Sequence, residues 1–259
     1  MRKWFSILTI FVVTLVLVPQ FASAKDWYFK PSKNNQPATT EPEYDALLKK
    51  YHGVWIGDTT SKDIYLTFDC GYENGYTKKI LDVLKEKKVP AAFFVTGHYI
   101  TDQSELIQRM VKEGHIIGNH SWGHPDLSKI SDEKYKIELE KLKQAYTEIT
   151  GRTDMKYLRP PRGTFSERSL KLGEEQGYTS VFWSFAYMDW MRDEHKGADY
   201  AYNSIMKRIH PGAIVLLHSV SRDNAEALGK VIDDLKKQGY TFRSLDYLMA
   251  HKAAPSFVW

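Results

Sequence analysis

Residues 63–95 read DIYLTFDCGYENGYTKKILDVLKEKKVPAAFFV, and this stretch decides the fold class. Ile64–Phe68 is a short run of β-branched and aromatic residues, the composition of a strand. Thr77–Lys88 reads as a helix, and Ala91–Val95 as a second strand. Strand, helix, strand is the repeating unit of a parallel sheet with helices packed outside it.

The unit recurs along the chain. Further strand-like runs are His115–Gly118, Tyr157–Leu158, Ser180–Phe185, Ile214–Leu217 and Phe242–Leu245. Helix-like stretches fall between most of them, at Gln103–Glu113, Asp132–Ile149, Glu167–Gln176, Asp199–Ile209 and Asn224–Gln238. Ser131 and Ser166 stand where N-caps belong. Gly114, Gly151, Gly177 and Gly239 stand where glycines stop helices. Roughly seven strands over ~190 residues suits an α/β barrel better than an open sheet. The residues able to carry chemistry fall where these strands end: Asp69 and Cys70, His120 and His124, Arg159, Asp189, and His218. In a parallel barrel those ends converge on one face.

Arg2 and Lys3 precede an apolar run from Phe5 to Pro19, and Ala22-Ser23-Ala24 supplies small residues for cleavage. This is the layout of a secretory signal over residues 1–24. The alternative is an uncleaved anchor, for which the run falls short of the ~20 residues of a spanning helix. The 36 Lys and Arg against 32 Asp and Glu leave the mature chain near neutral once Arg2 and Lys3 are removed. No basic stripe interleaved with aromatics is present, which argues against a nucleic-acid partner. A single cysteine excludes an internal disulfide and points to a buried or metal-bound Cys70. Residues 25–60 read as an arm wrapping the domain, 61–250 as the domain itself, and 251–259 as a tail. No permanent membrane span and a monomeric state are expected.

Taken singly, the chemical residues are ambiguous. His120 and His124 stand four apart, a spacing that turns two imidazoles toward one ion, yet an isolated pair of this kind is more often superficial. Asp69 is either a base or a turn cap before Gly71, and Cys70 a ligand or a small core residue. In Arg159-Pro160-Pro161-Arg162-Gly163 two prolines stiffen the loop and aim both arginines. Asp189-Trp190 offers an acid beside an aromatic wall. His218 ends a buried strand, either poised in a cleft or satisfied in the core.

Taken in order on successive strand–helix units, five motifs resemble the polysaccharide deacetylases of carbohydrate esterase family 4, the NodB-like deacetylases. They are Thr67-Phe68-Asp69-Cys70-Gly71, His120-Ser121-Trp122-Gly123-His124, Arg159-Pro160-Pro161-Arg162-Gly163, Asp189-Trp190 and Leu216-Leu217-His218. The resemblance implies a distorted (β/α) barrel and hydrolysis of an N-acetyl group on a sugar. It implies Asp69 as general base, Arg159 as the residue that orients it, His218 as general acid and Asp189 as the acid's partner. His120 and His124 would hold a divalent metal ion, zinc or another exchangeable cation.

Two departures stand out. Where the family usually has an aspartate as third metal ligand, this chain has Cys70. A thiolate there gives a Cys/His/His set suited to zinc; a Cys70 that does not ligate leaves a weaker site, which the reading favours. Where the family often has an aromatic, this chain has Arg162, whose guanidinium suits a carboxylate such as the lactyl group of N-acetylmuramic acid. With the run Gly71-Tyr72-Glu73-Asn74-Gly75-Tyr76, these features resemble the muramic-acid deacetylases that prepare spore-cortex peptidoglycan for δ-lactam formation. Tyr72 and Trp190 join Arg162 as expected sugar contacts, and the peptidoglycan glycan strand is the expected partner, met in the cell-wall or spore-envelope space. Rival readings are an N-acetylglucosamine deacetylase, a silent glycan-binding module, a hydrolase with Cys70 as nucleophile, and an O-acetyl esterase.

Overall fold

The structure, a computed structural model, describes residues 23–33, 36–191 and 194–252. The expected signal segment lies outside the described residues up to position 22, and the expected tail lies outside them beyond Lys252. The arm contributes three two-residue strands, β1 (Lys25–Asp26), β2 (Phe29–Lys30) and β3 (Thr39–Thr40), and a helix, α1 (Pro42–Lys50). The strand–helix series then runs β4 (Asp63–Cys70), α2 (Thr77–Lys87), β5 (Ala91–Val95), α3 (Gly97–Asp102), α4 (Ser104–Lys112), β6 (Ile116–Asn119), α5 (Asp132–Thr150) and β7 (Tyr157–Leu158). After one turn of 3-10 helix at Pro161–Gly163 come β8 (Thr164–Phe165), α6 (Glu167–Glu175), β9 (Thr179–Ser180), α7 (Ala198–Met206), β10 (Ile214–His218), α8 (Arg222–Lys237), β11 (Thr241–Phe242) and α9 (Leu245–Lys252).

Seven strands form one parallel sheet in the order β10-β4-β5-β6-β7-β9, with β11 paired to the start of β4. The sheet curls into a half-barrel with helices around it. Between β9 and β10 it is held only by isolated bridges, Val54↔Val181 and Phe185↔Val215. Here the structure corrects the expected strand Ser180–Phe185, of which only Ser180 lies in a strand, at the end of β9. Val54 of the arm wedges in: its N–H donates to Ser180 O (2.9 Å), and its carbonyl accepts from Phe182 N–H (2.8 Å). The expected strand Phe242–Leu245 is likewise cut short, because Leu245 already opens α9.

Strand alternation sorts the core. Ile64, Leu66, Phe68 and Cys70 face the helices with Phe93, Val95 and Leu217. Tyr65, Ala92, Phe94 and Ile214 face the interior of the half-barrel, and Asp69 falls on that same inner side of β4 by the two-residue period. The helix signals read from the sequence act as expected. The Ser131 hydroxyl accepts from Lys134 N–H, Ser166 forms a reciprocal capping box with Ser169, and Gly151 ends α5 in the left-handed region at φ 69°. Each such cap stabilises its helix by about 1 kcal/mol.

A third cluster joins the arm to the domain through Trp27, Leu48, Trp55, Phe165, Leu170 and Phe182. β1 pairs antiparallel with β8. Trp27 N–H donates to Gly163 O (2.9 Å), and its indole N–H donates to Trp183 O (3.0 Å). The arm therefore clamps the loop that carries Arg162.

Candidate active site

The parallel strands deliver Asp69, Asn119, Leu158 and His218 to one end of the half-barrel. Asp69 and His218 are register partners on adjacent strands, β4 and β10. Asp69 is 7% exposed and Arg159 fully buried. Arg159 Nη1 donates to Asp69 Oδ1 (2.8 Å), its Nε to Val181 O (3.1 Å), and its guanidinium lies 4.1 Å from the Phe94 ring centre. Burial alone would raise the Asp69 carboxyl. The Arg159 guanidinium above all, with His218 beside it, outweighs burial and holds Asp69 below the ordinary carboxylate range.

His218 is governed in the opposite sense. Its Nδ1–H donates to Asp189 Oδ1 (2.6 Å) and its backbone N–H to Asp189 Oδ2 (2.8 Å). Burial alone would lower the imidazole, but the Asp189 charge and hydrogen bond prevail and raise it. One strand end thus favours an ionised carboxylate, and the next favours the protonated form of an imidazole.

His120 and His124 reach the site from the loop after β6, not from a helical turn. Ser121 and His124 both adopt left-handed backbone, at φ 63° and 57°. The loop is held by Ser121 N–H to Asn119 Oδ1 (2.9 Å), His124 N–H to Ser121 Oγ (3.0 Å) and Gly123 N–H to Glu138 Oε2 (2.6 Å). The two rings meet edge to face with centres 4.8 Å apart. His120 Nδ1–H donates to Arg159 O (2.8 Å), which leaves Nε2 as the bare nitrogen, 3.5 Å from Asp69 Oδ2. Burial lowers the pKa of His120. It lowers His124 to about 4, with help from His120 and the nearby Arg162 charge. Both imidazoles are therefore neutral near pH 7, the state in which they ligate metals.

A bare imidazole nitrogen opposite a carboxylate oxygen is two acceptors face to face, an arrangement that a cation relieves. The donor set fits a divalent cation held by two imidazoles with coordination positions left open. Of the two alternatives for Cys70, the geometry favours the one in which it does not ligate. Cys70 is one residue past Asp69, so its side chain points to the other face of β4, fully buried among the helix-facing apolar residues. Burial drives its thiol well above the ordinary range, which works against its acting as a nucleophile. The alternation of Ile64, Leu66, Phe68 and Cys70 carried this signal in the sequence. Among the described residues, no group of three or more His, Cys, Asp or Glu is placed to hold a metal ion.

Arg162 is exposed and left-handed at φ 58°, and its charge is felt at His124, which places it on the rim. The Trp190 ring, half exposed, lies 5.7 Å from the His218 ring. Tyr72 is exposed on the loop after β4, its ring 6.4 Å from that of His98 at the start of α3. Sequence reasoning missed Glu138, which fixes the histidine loop, and Asn224 and Tyr187 behind Asp189. It also missed Asp126, whose carboxylate accepts from Thr164 Oγ1 (3.0 Å) and so ties the histidine loop to the Arg162 loop.

Residues 56–181 match the polysaccharide deacetylase family. The chain is 54% identical over 227 residues to the peptidoglycan-N-acetylmuramic acid deacetylase PdaA of Bacillus subtilis, covering 88% of this chain and 86% of that protein. The chain belongs to the polysaccharide deacetylase family. The solved structure of B. subtilis PdaA, a family 4 carbohydrate esterase, superposes with a TM-score of 0.87, covering 88% of this chain and 98% of that one. A family 4 carbohydrate esterase from Bacillus anthracis, 52% identical, superposes at 0.75 over 88% and 97%. The fold and the expected family therefore agree with the solved relatives. Deacetylases of this family are generally metalloenzymes, in keeping with the two-imidazole donor set. Among the described residues, no helix is long and apolar enough to cross a membrane.

Proposed function

We propose that the chain hydrolyses the N-acetyl group of N-acetylmuramic acid residues in peptidoglycan, as a step toward the muramic δ-lactam of spore cortex. The observation that carries this reading is the Asp69–His218 pair, two titratable groups on adjacent strand ends whose surroundings push their proton affinities apart. Such a pair is what separates a general base from a general acid at one pH.

A divalent cation on His120 and His124 would polarise the acetamide carbonyl and make a nearby water easier to deprotonate. The chain's own groups do the rest. Asp69, kept ionised by Arg159, takes the proton of the attacking water. The backbone N–H of Arg162 donates to the oxyanion as it forms. His218, kept protonated by Asp189, delivers a proton to the sugar nitrogen, without which the amine is a very poor leaving group. The Arg162 guanidinium pairs with the lactyl carboxylate, and Trp190 forms a wall of the sugar site. Tyr72 contributes at the outer edge of the groove.

Arg162 favours muramic over glucosamine residues, and the paired base and acid favour catalysis over a silent binding module. The enzyme acts as a monomer on exported wall material, in the cell-wall or spore-envelope space, after removal of a signal covering residues 1–24. The test is mass spectrometry of peptidoglycan incubated with the purified protein, with and without chelator. Loss of acetyl from muramic residues in the untreated sample, abolished by chelator and restored by added cation, is the expected result. Acetyl loss confined to glucosamine, or none, overturns the assignment.

A further inference from the structure

Behind the His218–Asp189 pair lies a layer of buried polar groups to which the reaction scheme gives no role. Asn224 stands in the first turn of α8 and is 2% exposed. The helix end does not need its side chain: Ser221 is the N-cap, with its hydroxyl accepting from Asn224 N–H (3.2 Å). The Asn224 amide turns instead toward the site. Its Nδ2 donates to Asp189 Oδ2 (2.5 Å) and lies 3.4 Å from His218 O. Its Oδ1 accepts from the Tyr187 hydroxyl, on a side chain that is itself buried.

A carboxamide has two ends of nearly the same shape and opposite polarity. Flipped, Asn224 would set an acceptor against the Asp189 carboxylate and break its grip. Tyr187 decides the matter. Burial and the nearby Asp189 charge push its hydroxyl far above the ordinary phenol range, so it remains a donor and draws Oδ1 to itself. Nδ2 is thereby left facing Asp189. The carboxylate then receives three donors, the His218 ring, the His218 backbone and Asn224, and cannot swing away.

We propose that Tyr187 and Asn224 form a positioning relay that fixes the Asp189 carboxylate in the one orientation that holds His218 by ring and backbone together. Neither residue touches the reacting atoms. Both act through Asp189, and the proposal rests on the reading of His218 as the acid. The other groups that face His218 are Asp69 and Arg159 across the β4–β10 pair, the Trp190 ring above, and His120 and His124 from the β6 side. The substitutions at Tyr187 and Asn224 change none of those side chains.

The test uses Tyr187→Phe, Asn224→Leu and the double variant of the full chain. The readouts are NMR titration of the His218 ring and the pH profile of acetate release. Asn224→Leu should weaken proton binding at His218 about tenfold and lower kcat by a similar factor, with KM within about twofold, as expected when an orienting hydrogen bond is lost. Tyr187→Phe should move both in the same direction by about threefold. The double variant should be no worse than Asn224→Leu alone, because one residue acts through the other. Tyr187→Phe removes only a hydroxyl and keeps the test open if Asn224→Leu does not fold. Folded variants with a wild-type His218 titration and alkaline limb, or losses that add in the double variant, overturn the relay. A His218→Gln control separates the two ideas: full turnover there removes the acid role, whereas the NMR titration reads the relay whether or not His218 is the acid.

Discussion

Replacing Arg159 with Leu tests the electrostatic logic of the site most directly. Arg159 is fully buried and Asp69 nearly so, joined at 2.8 Å. Removing one member of a buried pair leaves the other charge uncompensated, a loss of about 3–5 kcal/mol. For a domain of this size, each kcal/mol corresponds to about 2–4 °C in Tm, so Arg159→Leu should melt about 10 °C lower near pH 7. The sign of the pH dependence follows from Asp69. In the wild type its folded pKa is depressed, so its contribution to stability is present above the ordinary carboxylate value and is lost as pH falls through the folded value. In Arg159→Leu burial prevails and the pKa rises above the unfolded value. The variant then regains stability as Asp69 protonates, and the gap in Tm should narrow between about pH 6 and pH 3. The acid limb of acetate release should move toward neutral pH for the same reason. The double variant Arg159→Leu with Asp69→Asn removes both charges and should recover most of the lost Tm without recovering turnover. Calorimetry across pH and an acetate assay check all three points. An Arg159→Leu protein with wild-type Tm and an unmoved acid limb would refute the argument.

Other outcomes follow from the same geometry. Arg162→Tyr should reduce release of acetate from muramic residues at least tenfold while sparing glucosamine oligomers, because one charge-assisted pair is removed; competition assays with defined muropeptides read the ratio. With His124 lowered to about 4 and His120 also lowered, protons should not displace a bound divalent cation until the pH falls toward that value. Calorimetric titration with zinc should therefore show nearly constant affinity from pH 7 to about pH 5, and His124→Gln should weaken it tenfold or more. Trp27→Ala empties a buried aromatic site, at a cost of about 3–5 kcal/mol, and removes the indole donor to the Trp183 carbonyl. Chemical denaturation should show the loss, and kcat should fall with it because the Arg162 loop loses its clamp.

The strands that carry Asp69, the histidine loop and His218 were legible because each is short, β-rich and bounded by a helix with local stop signals. Period and capping act over a few residues, and Ser131, Ser166 and Gly151 behave as their positions foretold. What escaped is set by distant partners. Ser180–Phe185 has strand composition, but Val54, more than a hundred residues earlier, interrupts its pairing. Asn224 reads as an ordinary helix residue until Asp189 and Tyr187 are seen against it. Cys70 is a different case. Its face was written in the alternation of β4, since adjacent strand residues point apart and Cys70 follows Asp69 directly.

Among the described residues five non-glycines adopt left-handed backbone, and three of them, Ser121, His124 and Arg162, border the site. Each such conformation costs on the order of 1 kcal/mol relative to ordinary backbone, a cost that glycine would avoid. Laboratory selection for heat resistance alone would thus be drawn to these positions, yielding hardier proteins with slacker loops and slower turnover. A thermostable form that keeps its activity should instead be sought at the other two, His52 in the arm and Lys88 at the end of α2, where the same relief leaves the site loops untouched.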